Sequence, residues 1–222
     1  MKSPNPARPA DPGAAAWSLV IPVKVLALAK SRLAGLAGPR RSDLALAMVA
    51  DTVTAALAAP PVAAVVVVTD DEVAAKELGG LGAVVVGDEP GAGLNPALAF
   101  GAEYSDARWP GRGRAALAGD LPAMRPAELT LALERAAAAG EAFVPDAQGT
   151  GTTLYAAGPG VEFRPLFGPG SRSRHRDAGA AELNLPGLRG LRQDVDTPDD
   201  LDRARDLGLG PRTMAVLAEG SR

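Results

Sequence analysis

Four short apolar runs constrain this chain more than anything else in it. They are Trp17-Ser18-Leu19-Val20-Ile21-Pro22-Val23, Val62 to Val68, Ala83 to Val86, and Ala115-Ala116-Leu117-Ala118. A strand with one wet face alternates apolar and polar residues. A nearly continuous apolar strand is covered on both faces, as in a parallel sheet flanked by helices. The segments between the runs read as helices. Ser42 to Ala59 carries Leu44, Met48, Val49, Val53 and Leu57 on one side, with Ser42 as expected N-cap, Asp43 in the first turn and Pro60-Pro61 as the stop. A short helix is expected over Glu72 to Leu78, capped by Asp70 or Asp71, another from Asn95 or Pro96 to Glu103, and a third from Arg125 to Ala139, ended by Gly140. Strands alternating with helices predict an α/β fold with a mostly parallel, doubly wound central sheet. The length of 222 residues and 47% hydrophobic content fit one such domain. The expected organisation is a disordered Pro/Ala-rich lead-in over 1–15, one domain over 16–208, and a polar C-terminal tail over 209–222 with a short apolar stretch, Met214 to Leu217.

Composition removes several functional classes. The net charge of −3 argues against a nucleic-acid-binding surface. The chain has no cysteine, which excludes disulfides, thiolate catalysis and cysteine-ligated metal centres. No apolar run reaches the roughly 18 to 20 residues of a membrane span, and residues 1–13 lack the apolar segment of a signal peptide. A cytoplasmic location, with no membrane partner, is expected.

The polar residues at the strand ends carry the chemistry. In an open α/β sheet, ligands bind outside the carboxyl ends of the strands. Asp120, in Gly119-Asp120-Leu121-Pro122, follows the fourth run. It either helps hold a divalent metal on a phosphate or caps the helix that follows. Lys24, Lys30 and Arg32 follow the first run within nine residues. They read as a phosphate clamp or as an ordinary solvated loop. The loop lacks both G-x-x-x-x-G-K-[ST] and G-x-G-x-x-G, so it is neither a P-loop nor a dinucleotide fingerprint. Asn95 reads as an N-cap, with an alternative role in contacting a base or ribose. Ala142 to Asp146 is expected as a strand, followed by Gln148-Gly149-Thr150-Gly151-Thr152-Thr153-Leu154-Tyr155, a turn entering a further strand. Phe167-Gly168-Pro169-Gly170-Ser171-Arg172-Ser173-Arg174-His175-Arg176 reads as an anion-binding or an exposed basic loop, and its His175 as structural or solvent-facing, with a ligand or acid–base role as the alternative. Leu191 to Leu201 reads as strand, loop and helix start. Thr197 is its N-cap and Pro198 its first helical residue, which leaves Asp194 and Asp196 as further carboxylates without a capping role.

A basic loop, one Asp after a central strand and a second in D-x-D-T-P can hold Mg²⁺ between phosphates while Lys and Arg neutralise a triphosphate. This constellation points to nucleotidyl transfer. At these motifs the chain resembles the 2-phospho-L-lactate/phosphoenolpyruvate guanylyltransferases of coenzyme F-420 biosynthesis. The matching pieces are Ile21-Pro22-Val23-Lys24 with Ala29-Lys30-Ser31-Arg32-Leu33, Gly93-Leu94-Asn95, Gly119-Asp120-Leu121-Pro122, Gly149-Thr150-Gly151-Thr152-Thr153-Leu154, Phe167-Gly168-Pro169-Gly170-Ser171 and Asp194-Val195-Asp196-Thr197-Pro198-Asp199-Asp200-Leu201. The resemblance implies a single Rossmann-like, GT-A-type nucleotidyltransferase domain. It implies GTP and either phosphoenolpyruvate or 2-phospho-L-lactate as substrates, and allows hand-off of the product to the next enzyme of the pathway. It places Thr152, Gly168 and Ser171 on phosphoenolpyruvate. On the residues themselves, Asp120 and Asp196 are assigned to Mg²⁺ with Asp194 in reserve, and Lys24, Lys30, Arg32 and Asn95 to the nucleotide. The competing classes are a molybdopterin or sugar-phosphate nucleotidyltransferase, a GT-A glycosyltransferase and a non-catalytic nucleotide-binding module. Glycosyltransferases of that kind place two closely spaced acids at the central strand, whereas Asp120 stands alone between Gly119 and Leu121.

Overall fold

A computed structural model describes residues 16–24, 40–88 and 90–219. Its core is a seven-stranded sheet in the order β3-β2-β1-β4-β6-β5-β7. The strands are β1 (Trp17–Pro22), β2 (Val62–Val68), β3 (Val84–Val86), β4 (Gly113–Leu117), β5 (Glu141–Pro145), β6 (Thr152–Ala157) and β7 (Ala181–Glu182). The apolar runs read from the sequence form β1 to β4, and β1 pairs parallel to both β2 and β4. Among the described strands β6 alone is reversed. A short turn joins it to β5, which forces an antiparallel pair, and its other edge pairs antiparallel with β4. The start of β6 therefore lies at the same sheet edge as the carboxyl ends of β1, β4 and β5. The pairings Pro145↔Thr152 and Leu117↔Leu154 place Thr152 there.

Successive side chains in a strand face opposite ways, and both faces of this sheet are covered. On one face Leu19, Ile21, Val65, Val67, Leu117 and Val144 pack against α1 (Arg41–Ala58), α2 (Glu72–Gly80) and α4 (Pro126–Ala139). On the other, Val20, Val66, Val68, Ala116 and Tyr155 pack against α3 (Leu94–Arg108). α3 lies very close to the sheet. A Cβ on Gly101 would stand 2.5 Å from Val20 Cγ1 and 2.8 Å from Val68 Cγ2, so only glycine fits. Among the described residues no helix is long and apolar enough to cross a membrane.

Local signals match the sequence in part. Asp71 caps α2, accepting from Val73 and Ala74 N–H. Thr197 caps α7 (Pro198–Leu207) as expected. α1 instead starts at Arg41, so Ser42 lies inside the helix. α3 starts at Leu94 with Gly93 at the N-cap position, not Asn95. The basic stretch after Gly170 is not a loop but helix α5 (Ser171–Asp177). The strand expected at Leu191 is the short helix α6 (Arg189–Arg192), because the sheet edge at β5 is taken by β7.

Within the expected tail, residues 211–219 form α8 (Pro211–Glu219). Val216 and Leu217 pack on a cluster of Leu44 and Met48 from α1 with Val195, Leu201 and Leu209. The buried Asp51 carboxylate of α1 accepts from Arg212 N–H at 3.2 Å and Thr213 N–H at 2.8 Å, tying the first turn of α8 down. A carboxylate at a helix N-terminus satisfies otherwise orphaned donors.

Candidate active site

The carboxyl edge of the sheet opens into a cleft of about 700 Å³. One wall is acidic. Asp120 leaves β4 in a turn fixed from three sides: Leu121 N–H donates to Thr52 Oγ1 at 3.1 Å, Val195 N–H to Asp120 O at 3.2 Å, and Gly210 N–H to Pro122 O at 2.7 Å. The second of these bonds brings the 194–196 loop against the Asp120 turn. Asp120, Asp194 and Asp196 all line the cleft. Burial pushes the Asp194 carboxyl up to about 7, and the charges of Asp120, Asp146 and Asp196 add to the shift. Asp120 is thus no helix cap, since Arg125 occupies the N-cap position of α4.

The loop bearing Asp194 and Asp196 is held by the Thr197 cap. Thr197 Oγ1 donates to Asp200 Oδ2 at 2.7 Å, and that oxygen also accepts from Thr197 N–H at 2.9 Å and Asp196 N–H at 3.3 Å. Burial alone would raise the Asp200 carboxyl, but hydrogen bonds from Thr197 and Arg203 and from the backbone hold it below the usual range. Asp200 is therefore structural, which leaves the acids before the cap to face the cleft.

Asp146 is the acid that sequence reading missed. It is buried at the end of β5, where Oδ1 accepts from Thr150 N–H at 2.9 Å and Oδ2 from Gly151 N–H at 2.7 Å. A Cβ on Gly151 would lie 2.3 Å from Asp146 Oδ2. The glycine-threonine turn is thus wrapped around this carboxylate, and an Asp followed three to five residues later by Gly-x-Gly was the available signal. Arg172 closes the same turn. Its Nη1 donates to Gly149 O at 2.9 Å, while Nε and Nη2 form a bidentate pair with Glu182.

Another part of the lining is polar and glycine-rich. Thr152, Gly168 and Ser171 come together there, from β6, the loop before α5 and the first residue of α5. Gly168 and Gly170 have φ of 116° and 70°, which favours glycine at both. Asn95 seats this loop: its Nδ2 donates to Phe167 O at 3.1 Å and its Oδ1 accepts from Phe167 N–H at 2.8 Å. Both ends of the Asn95 amide are engaged in this way, and a base contact would cost these bonds. His175 is fully buried behind Thr152, 3.0 Å from Nδ1 to Thr152 Oγ1, with Leu166 N–H donating to Nε2 at 3.0 Å. Lys24 is exposed and lines the cleft after β1. Lys30 and Arg32 lie outside the described residues.

The donor set fits a divalent cation. Mutually repelling carboxylates converge on the cleft, and a cation is what would relieve them. Among the described residues no group of three or more potential ligands stands ready-assembled to hold a metal ion. The arrangement suits an ion that takes only one or two carboxylates and completes its shell with phosphate and water oxygens, as Mg²⁺ does.

This sheet with its one reversed strand among the described residues has the fold of the nucleotidyltransferases of the nucleotide-diphospho-sugar transferase type. A candidate nucleotide-diphospho-sugar transferase from Desulfovibrio desulfuricans G20 superposes with a TM-score of 0.72 at 16% identity, over 92% of this chain and 95% of that one. A nucleotidyl transferase from Methanothermobacter thermautotroptrophicus superposes with a TM-score of 0.54 at 20% identity, over 87% and 97%. Within that fold the chain belongs to the CofC-like guanylyl transferase family, whose model matches residues 17–180. It is 61% identical to a phosphoenolpyruvate guanylyltransferase of Thermomonospora curvata, over 91% of this chain and 89% of the relative. It is 56% identical to one of Streptomyces avermitilis, over 91% and 94%.

Proposed function

We propose that this protein transfers the guanylyl group of GTP to the phosphate of phosphoenolpyruvate, giving enolpyruvyl-diphospho-guanosine and pyrophosphate. The observation that carries this reading is the 61% identity, over nine-tenths of the chain, to a relative with that named activity. The geometry agrees with it, since acidic side chains and the glycine-rich Thr152, Gly168 and Ser171 segments line one cleft.

The acceptor phosphate is already anionic at neutral pH, so it needs no strong general base. One of its oxygens forms a bond to the α-phosphorus of GTP. The bond from that phosphorus to the bridging oxygen breaks, and its electron pair leaves with pyrophosphate. Catalysis is then positioning and charge neutralisation. Thr152, Gly168 and Ser171 orient the acceptor on the polar wall. Lys24, with Lys30 and Arg32 from the following segment, steadies the β- and γ-phosphates and the leaving group. Asp120 and Asp196 are the residues that would hold Mg²⁺, with Asp194 beside them. When bound, that ion would supply electrostatic stabilisation of the crowded phosphate oxygens. The reading places the reaction in the cytoplasm and allows the product to pass to the next enzyme of coenzyme F-420 biosynthesis.

The test is pyrophosphate release from GTP and Mg²⁺ with phosphoenolpyruvate, with 2-phospho-L-lactate and with no acceptor. Release with phosphoenolpyruvate alone is expected. Release with 2-phospho-L-lactate alone would replace the acceptor and keep the guanylyl transfer. Release without acceptor, or with none, would reject the reading.

A further inference from the structure

The chain has a single histidine, and no step above uses it. His175 is held on every side. It stacks on Tyr155 at 4.8 Å and Phe143 at 5.5 Å between ring centroids, with the Phe167 ring edge-on at 5.5 Å. A backbone N–H can only donate, so the Leu166 bond requires a lone pair on Nε2. A neutral imidazole then carries its proton on Nδ1. Burial, with the Arg174 charge adding to it, lowers this histidine to about 4, so the ring is neutral at pH 7.

The consequence falls on Thr152. With Nδ1 protonated, Thr152 Oγ1 must accept across the 3.0 Å contact. Its own hydroxyl proton is then left over, and the open side of Thr152 is the cleft. The opposite tautomer would draw the threonine proton back to the ring and turn only lone pairs toward an anion. We propose that His175 is a positioning residue that fixes the Thr152 hydroxyl as a hydrogen-bond donor aimed at an anionic oxygen of the acceptor. The proposal rests on the acceptor-binding role assigned above to Thr152.

With one histidine, selective ¹⁵N labelling reports one imidazole. In the free protein at pH 7 the spectrum is expected to show protonated Nδ1 and unprotonated Nε2. A protonated Nε2 would overturn the proposal. Kinetics test the coupling. His175→Gln, whose amide oxygen can still accept from Leu166, is expected to raise the KM for phosphoenolpyruvate about tenfold, with the KM for GTP within about twofold. Thr152→Val should do the same, and the double variant should be no worse than either. His175→Asn, whose amide can still donate toward Thr152, should recover most of the loss. A parallel rise in both KM values, or multiplicative effects in the double variant, would reduce His175 to a core residue. The tautomer is read without substrate. It therefore decides the arrangement even if the wild-type protein releases no pyrophosphate with phosphoenolpyruvate, the result that would reject the acceptor assignment instead.

Discussion

Two residues, Asp194 lining the cleft and His175 buried behind it, show how burial sets chemistry in opposite directions. Asp194 is pushed up by burial and by three neighbouring carboxylates, whereas His175 is pushed down by burial and Arg174. For His175 the unfolded chain takes up a proton near 6.5 and the folded chain only near 4, so between those values the unfolded state binds more protons. Its contribution to stability is full above pH 6.5 and is lost as pH falls toward 4, by up to about 3 kcal/mol. Asp194 acts oppositely: the folded state binds its proton first, so its contribution declines as pH rises from the ordinary carboxylate range toward 7. Urea unfolding of wild type and His175→Phe across pH 4 to 7 separates the two. The wild-type minus variant difference should grow with pH over this window, and a flat difference would refute the assignment. Asp120 is tested by turnover. Asp120→Asn should lower it about a hundredfold, as removal of a major electrostatic stabiliser does. Near wild-type turnover would remove Asp120 from the ion site.

At the scale of elements, the site is an assembly of turns held by side chains distant in sequence. Thr52 of α1 holds the Asp120 turn, Asp146 of β5 holds the glycine-threonine turn, and Asn95 of α3 holds the Phe167-Gly168 loop. Asn95→Ala removes both bonds to Phe167. It should raise the KM for phosphoenolpyruvate several-fold while leaving that for GTP near its wild-type value. A selective rise for GTP would instead return Asn95 to the nucleotide. The strand ends and the Thr197 cap were legible in sequence because they depend on neighbours in the chain. The roles of Asn95 and Asp146 were not, because Asn95 bonds 72 residues away and Asp146 gains its meaning from a turn that closes around it.

For the whole molecule, the C-terminal helix is a clasp. α8 covers the cluster that joins α1 to the loop carrying Asp194 and Asp196, and Asp51 anchors it. Truncation after residue 208 strips the donors from a buried carboxylate and exposes that cluster. It should lower unfolding stability by at least about 2 kcal/mol, with Tm falling by roughly 4 to 8 °C in calorimetry. An unchanged Tm would make residues 209–222 the independent tail that their composition suggested. Their polarity hid the helix because it buries only a narrow side of itself.

Sequence alone determined the alternating α/β pattern, the parallel strands, the Asp120 and D-x-D-T-P motifs and the family resemblance. These depend on local propensity, on capping and on the hydrophobic period. Only the tertiary structure decided where β6 goes, and with it which face of the cleft Thr152 occupies. It also decided that His175, in a run of arginines and serines that reads as surface, is wholly buried against three aromatic rings. Register and burial of this kind come from contacts between distant segments. They have no counterpart in any local window of the chain.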